Sequence, residues 1–254
     1  MAVNPFHYSV GSRVRTKPFL DMLKPERGDN ILDVGCGLGY FTDLLNSDGA
    51  TCTGIDLDER CIAYCQENMK GKYMVADVTR LPFPDNHFNK VLCTEVLEHI
   101  KENGVVLDEI VRVAKDRSTV VATTPCSSGV FKGLFKRIGH GSVDDNSREY
   151  HHHKGYTEDS LGKLLYKHGI EPVETQYTLV AATEVYMAIT KIAIQVIMGK
   201  KIHSQANALD VLDTRIWKAH KWSFPAIMAM VNAEQPLSRH LKGHMIIMRG
   251  VVSK

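Results

Sequence analysis

Apolar residues along this chain follow two periods. Short aliphatic and β-branched runs occur at 30–34, Ala50–Ile55, Lys72–Ala76, Lys90–Thr94 and Ser118–Thr124. Runs of that length, bounded by turn residues, read as buried strands. Between them the apolar positions recur at helical spacing. Cys61, Ile62 and Cys65 give a helix behind the cap residue Asp58, and Val105, Val106, Ile110 and Val113 give another. Ahead of the first strand, Tyr8, Val10, Val14, Phe19, Leu20 and Leu23 form a rough apolar face, broken off by Pro25 and Gly28. Thr157 caps a helix that Gly169 stops, Glu171–Val180 reads as a sixth strand, and Lys242–Val252 alternates weakly as a seventh. Strands alternating with helices predict an α/β fold with a mostly parallel sheet and helices on both faces. The seventh strand is expected to be antiparallel and at an edge.

The punctuation is most informative after the first run. Asp33-Val34-Gly35-Cys36-Gly37-Leu38-Gly39 leads into Tyr40–Leu45, which has helical character. A strand, a tight turn and a helix start place free backbone N–H groups outside the carboxyl end of a strand, where α/β sheets bind ligands. Two cofactors fit such a turn. A dinucleotide fingerprint needs a third small residue at position 40, where Tyr40 stands, so it is disfavoured. At the end of the second strand, Asp56 can accept two hydrogen bonds from a vicinal diol. Asp58 is free to cap the following helix.

The order acid-x-Gly-x-Gly-x-Gly resembles the first motif of the class I S-adenosylmethionine-dependent methyltransferases. Asp56, Asp77 and the stretch Leu81-Pro82-Phe83-Pro84-Asp85-Asn86-His87-Phe88-Asn89 match later motifs of that family in order. The last position of that stretch departs from the family's aspartate. The likeness is nearest to the broad group containing the quinone-biosynthesis methyltransferases, and it loosens beyond residue 125. It implies a seven-stranded, mostly parallel Rossmann-like methyltransferase sheet over a single domain, 1–254, with a helical insertion at 181–241 before the last strand. It also implies roles for the matching residues. Gly35, Gly37 and Gly39 pass under the methionine part of S-adenosylmethionine, and Asp33 orients its amino group directly or through water. Asp56 holds the ribose, Leu57 packs on the adenine, and Asp77 lies near the adenine amino group. Val78 and Cys93 complete the cofactor set.

Glu95, Glu98 and His99 follow the fourth strand at i, i+3 and i+4, and on a helix they share one face. Glu95 and His99 are therefore the candidate catalytic pair. The same E-x-x-E-H pattern resembles two metal-dependent O-methylating families, one acting on small RNAs and one on quinones. It implies a Mg²⁺ or Zn²⁺ site of Glu95, Glu98, His99 and His152, drawn from the run His151-His152-His153. An alternative reading leaves the acids as helix caps and the histidines as a polar loop. Thr94-Glu95-Val96-Leu97 stands where an amino-methylating family carries Asn/Asp-Pro-Pro-aromatic, which argues against exocyclic base or glutamine amide substrates, and the acceptor atom is expected to be oxygen or carbon.

Composition narrows the partners. The chain has 254 residues, 44% hydrophobic, with a formal net charge of +2. That charge gives no nucleic-acid signal, which counts against RNA 2′-O-methylation. The remaining alternative is a non-catalytic S-adenosylmethionine-binding assembly or regulatory protein. Six scattered cysteines, with no second pair to complete a zinc pattern, read as reduced thiols of a cytoplasmic protein. No apolar run follows a basic N-terminal segment, so no signal peptide is expected. Within 181–241, Thr183–Met198 is apolar but broken by Glu184, Lys191 and Gln195, and Trp222–Val231 carries Trp222, Phe224, Ile227, Met228 and Met230. Such segments suit a cap over a small, greasy acceptor or a peripheral membrane contact. A larger core or a dimer interface explains them equally, so the oligomeric state stays open.

Overall fold

The computed structural model describes residues 5–127, 152–178, 215–238 and 242–254, together with Tyr186 and Leu209. Seven strands are present: β1 (Asn30–Val34), β2 (Thr51–Asp56), β3 (Lys72–Val75), β4 (Phe88–Thr94), β5 (Ala114–Pro125), β6 (Ile170–Thr178) and β7 (Met245–Val252). The helices are α1 (Val10–Leu23), α2 (Tyr40–Ser47), α3 (Glu59–Asn68), α4 (Asn103–Val113), α5 (Glu158–Lys167) and α6 (Arg215–Ser238). The sheet order is β3-β2-β1-β4-β5-β7-β6. β3, β2, β1, β4 and β5 pair in parallel, and β7 runs antiparallel to both of its neighbours.

β7 is not the expected edge strand. It lies between β5 and β6, and β6 takes the edge. The weak alternation of its sequence has a physical cause. Ile246 and Met248 pack into one core and Ile247 into the other, so neither face of β7 meets water. β5 begins at Ala114 rather than Ser118, because Ala114 already pairs with Phe88 ahead of an irregularity in the ladder.

The helix starts obey local chemistry. Asp58 accepts from the N–H groups of Arg60 and Cys61 at the head of α3. Thr157 and Ser160 form a reciprocal capping box on α5. Ser9 accepts from Ser12 N–H at the head of α1. On one face of the sheet, Val106, Leu107 and Ile110 of α4 and Leu161 and Leu165 of α5 cover Leu32, Val34, Val91 and Val120. On the other, Phe19 and Met22 of α1 and Phe41 and Leu45 of α2 cover Ile31, Leu92 and Val121. The rings of Phe19 and Phe41 stack with centroids 4.5 Å apart. Each such buried side chain contributes roughly 1.5–3 kcal/mol. The first half of α1 faces elsewhere. Val10 and Val14 pack with Phe224 and Val231 of α6 and with Met245. Met245 pairs with Pro125 and Thr178, so α6 sits by the sheet edge where the parallel strands end. Except for Tyr186, the Thr183–Met198 segment lies outside the described residues.

Asn89, the departure from the family signature, works at the opposite edge. Its side chain accepts from Asn30 N–H at 2.7 Å and donates to Asp29 at 2.6 Å, beside the Lys90–Asp29 ion pair.

Two glycines separate the demands of sheet and helix. A Cβ on Gly250 of β7 would lie 2.5 Å from Ile170 Cγ2 and 3.0 Å from the Glu171 carbonyl, whereas one on Gly162 in α5 would meet nothing closer than 3.7 Å. Gly250→Ala is expected to destabilise the protein by about 1–3 kcal/mol, and Gly162→Ala to stabilise it by about 0.5–1 kcal/mol. Urea unfolding of both variants checks the pair. A neutral Gly250→Ala would contradict the interior placement of β7.

Candidate active site

β1 ends at Val34 and the chain reverses through Gly35, Gly37 and Gly39, whose φ angles are +69°, +51° and +70°. Part of the demand for glycine comes from the protein itself. A Cβ on Gly35 would lie 2.4 Å from Val96 Cγ2, and one on Gly39 2.8 Å from the Tyr73 ring and 2.9 Å from Cys65 Sγ. The turn points Gly37 N–H at Asp56 Oδ2, 2.8 Å away, and Asp58 N–H reaches Asp56 Oδ1 at 2.9 Å. Asp56 is thus fixed beside the turn with lone pairs to spare. Leu57 next to it is 69% exposed and presents an aliphatic surface. Asp77 accepts from Thr79 N–H and the Thr79 hydroxyl, and these two bonds hold its carboxyl below the ordinary range. Val78 is buried, and Cys93 is wholly buried with its thiol in the core.

Asp33 is the most constrained member. It is 1% exposed, and Thr42 donates to its Oδ2 at 2.7 Å. Its Oδ1 has no partner. Burial, opposed by the Thr42 bond and reinforced by the nearby Asp56 charge, pushes its pKa up to about 6. An unpartnered buried carboxylate oxygen beside a glycine turn fits a cationic ligand group.

At the end of β4 the structure departs from expectation. Glu95 to His99 form turns, not a helix, so Glu95, Glu98 and His99 do not share one helical face. The reason is the backbone at Glu95, which stands at φ +54° while its N–H is held by Thr123 O at 3.0 Å. Left-handed glutamate is costly, on the order of 1 kcal/mol. An ion pair compensates. Arg15 of α1 donates Nη1 to Glu95 Oε2 at 2.5 Å and anchors its own Nε on Gly11 O at 3.0 Å. The Arg15 side chain is 10% exposed and that of Glu95 39%. Burial opposes the charge on Glu95, but Arg15, His99 and His244 together hold its carboxyl below the ordinary range.

Glu98 turns the other way. It is 1% exposed, and its Oε2 has no partner. Burial, with repulsion from Glu95 added, raises its pKa to about 8. Tyr156 stands nearby. Its hydroxyl accepts from Asn103 and donates to Leu97 O at 3.4 Å. Burial and the Glu98 charge push the Tyr156 phenol up to about 12. Tyr156 also ties its backbone to the end of β5, its N–H donating to Pro125 O and its carbonyl accepting from Ser127 N–H.

The expected metal site does not form. His153 is brought beside the turn, its N–H on Glu98 O at 3.1 Å, but its ring Nε2 is engaged by the carbonyls of Ile100 and Lys101. His152 is exposed, and His151 lies outside the described residues. Among the described residues, no group of three or more His, Cys, Asp or Glu side chains is arranged to hold a metal ion.

Sequence reasoning missed Arg15, His244 and Tyr156. Arg15 left a trace: it sits with Gly11, Phe19 and Met22 on the buried side of α1, where a cation needs a partner. Buried unpartnered polar atoms gather at this edge. Asp33, Glu98, Thr123, Thr124 and Thr178 each carry one. Native interiors leave few such atoms without water or ligand.

Comparison with known proteins fits this geometry. Residues 32–122 match the family model described as a methyltransferase domain. Phosphoethanolamine N-methyltransferase 3 of Arabidopsis thaliana is 31% identical over 129 residues, covering 47% of this chain and 26% of that protein. A ubiquinone biosynthesis O-methyltransferase of Pseudomonas fluorescens is 32% identical over 104 residues, covering 38% of this chain and 44% of that one. This chain therefore matches less than half the length of either curated relative. The solved phosphoethanolamine N-methyltransferase 2 of Haemonchus contortus, in complex with S-adenosyl-L-methionine, superposes with a TM-score of 0.58 at 18% identity, over 94% of this chain and 53% of that one. At that identity the likeness shows the fold.

Glu98 sets a pH dependence of stability. Its folded pKa of about 8 lies above the ordinary 4.5, so the folded protein keeps a proton that the unfolded chain has released. Stability contributed by this group is present at acid pH and is lost as pH rises towards and through 8. Glu98→Gln keeps the shape and removes the titration. It is expected to stabilise the protein by about 1–3 kcal/mol at pH 8.5 and by little at pH 4.5. Urea unfolding at both values checks this, and an equal effect at the two would refute the assignment.

Proposed function

We propose that this protein, whose residues 32–122 match the methyltransferase-domain family model, is a class I S-adenosylmethionine-dependent methyltransferase that methylates oxygen or carbon on a small, partly hydrophobic acceptor. The observation that carries the reading is the Glu95 carboxylate, held at a strained φ by Arg15 where β4 ends. Strain maintained by an ion pair to a buried arginine marks a side chain whose position matters.

The cofactor supplies an electrophilic methyl group on a sulfonium. The residues would hold it as follows. Asp33 Oδ1 takes the ammonium of the methionine part, Asp56 accepts the ribose diol, and exposed Leu57 covers the adenine. His99 accepts the hydrogen bond of the acceptor's O–H or acidic C–H and takes the proton as the new bond forms and S-adenosylhomocysteine leaves, and the Glu95 carboxylate, electrostatically coupled to His99, stabilises the imidazolium that results. Near-neutral charge across the chain supports a small acceptor rather than RNA. α1 and α6 pack Val10, Val14, Phe224 and Val231 against Met245 by the sheet edge, and these apolar surroundings support a greasy one.

Calorimetry tests the cofactor first. S-adenosylhomocysteine is expected to bind, with NAD and NADP silent. Asp33 is protonated below about pH 6 and the ammonium prefers its charged form. Affinity is therefore expected to fall about tenfold from pH 7 to pH 5, and Asp33→Asn to bind weakly with no such slope. NADP binding without a response to S-adenosylhomocysteine would overturn the reading.

Turnover tests the chemistry. Methyl transfer from labelled S-adenosylmethionine to a panel of phenols and enolisable acids is expected to find an acceptor. Glu95→Gln should then lower kcat roughly 10²–10⁴-fold while leaving cofactor affinity within about threefold. An unchanged kcat would remove Glu95 from the chemistry.

A further inference from the structure

The inner and outer faces of α6 differ in kind. Phe224 and Val231 are buried against α1, with Ile227 and Met228 beside them. At the head of the helix, His220 bonds Tyr8 O at 2.7 Å and Tyr186 at 2.6 Å. The outer face is apolar as well. Trp222 is 88% exposed and Met230 50%. Pro225, Ala226 and Ala229 between them are also exposed. An indole in water wastes most of the area it could bury.

The charges add a second, independent observation. Arg215, Lys218 and Lys221 follow one another at three-residue spacing along α6. No carboxylate occurs from 215 to 233. Lys221 lies 5.9 Å from the Tyr8 ring centroid. Lys218, on the same side of the helix as Trp222, is exposed.

We propose that the outer face of α6 docks on the anionic surface of a lipid bilayer. Trp222 and Met230 enter the interface, and Lys218 and Lys221 meet the lipid phosphates. An indole with one polar edge suits that depth, and basic residues beside an apolar helix face are what anionic lipids attract. Among the described residues no helix is long and apolar enough to cross a membrane, so the contact is peripheral. The proposal stands on α6 alone and does not depend on the reading of the acceptor.

The chain has two tryptophans. In the full chain carrying Trp217→Phe, Trp222 is the sole indole and reports on the face directly. Vesicles of phosphatidylcholine with about one third phosphatidylglycerol are expected to shift its emission to shorter wavelength and to sediment the protein. Pure phosphatidylcholine vesicles should do so weakly. Lys218→Glu is expected to lower vesicle affinity about fivefold, and added salt to lower it further. Trp222→Ser, made in the unaltered chain, should abolish sedimentation while S-adenosylhomocysteine binding and the circular dichroism spectrum stay unchanged. Absence of a shift and of sedimentation with anionic vesicles overturns the proposal. So does a lipid-free shift that grows with protein concentration, because a second copy of the chain would then cover the face.

Discussion

The contact between Arg15 and Glu95 joins the parts of this molecule that local sequence rules cannot join. One partner comes from the first helix and the other from the turn after β4. The pair fixes the direction in which α1 crosses the sheet edge. It also holds the β4 turn at a backbone angle that glutamate would otherwise avoid. Once α1 lies there, its first half is committed to α6 and its second half to the sheet and α2. Cap, core and candidate site therefore share one helix. A charge pair with Arg15 buried and Glu95 partly exposed is of little net worth as a pair, yet losing Glu95 leaves a buried guanidinium stranded. Its contribution is to specify an arrangement more than to deepen it.

What the sequence makes legible divides along the same line. The unit of β1, glycine turn and α2 is readable because each part is a local event: a buried run, backbone angles open to glycine, a helix start. The caps at Asp58 and Thr157 are readable for the same reason. The Glu95–His99 segment is misleading because helical spacing is only a necessary condition. Nothing local reveals that Glu95 N–H will be taken by Thr123 of the next strand. β7 misleads in a complementary way. Its apolar residues on both faces erase the alternation that would have located it, and burial on two sides leaves the same mark wherever the strand sits. Arg15 requires knowledge of which side of α1 is covered, and that is a tertiary fact.

Glycine illustrates how one residue type answers several masters. Gly35 and Gly39 look in sequence like concessions to a bound cofactor. In the structure Val96, Tyr73 and Cys65 already fill the space a Cβ would need. The turn is thus shaped by the protein before any ligand arrives, which is what preorganisation requires. The unpartnered oxygens of Asp33 and Glu98 make the opposite statement. They are groups whose solvation the fold has removed without providing a replacement, and they lie where a ligand would be expected to supply one.

The interior position of β7 also bears on how the chain is made. A ribosome delivers β5 and β6 well before residues 245–252. Until that segment emerges, the outer ladder of β5 and the inner ladder of β6 have nothing to pair with. Open β-edges of this kind invite pairing between neighbouring nascent chains. The parallel half of the sheet can assemble during synthesis, whereas the half beside the cap must wait. The site is therefore completed late, by a strand that carries none of its proposed chemistry.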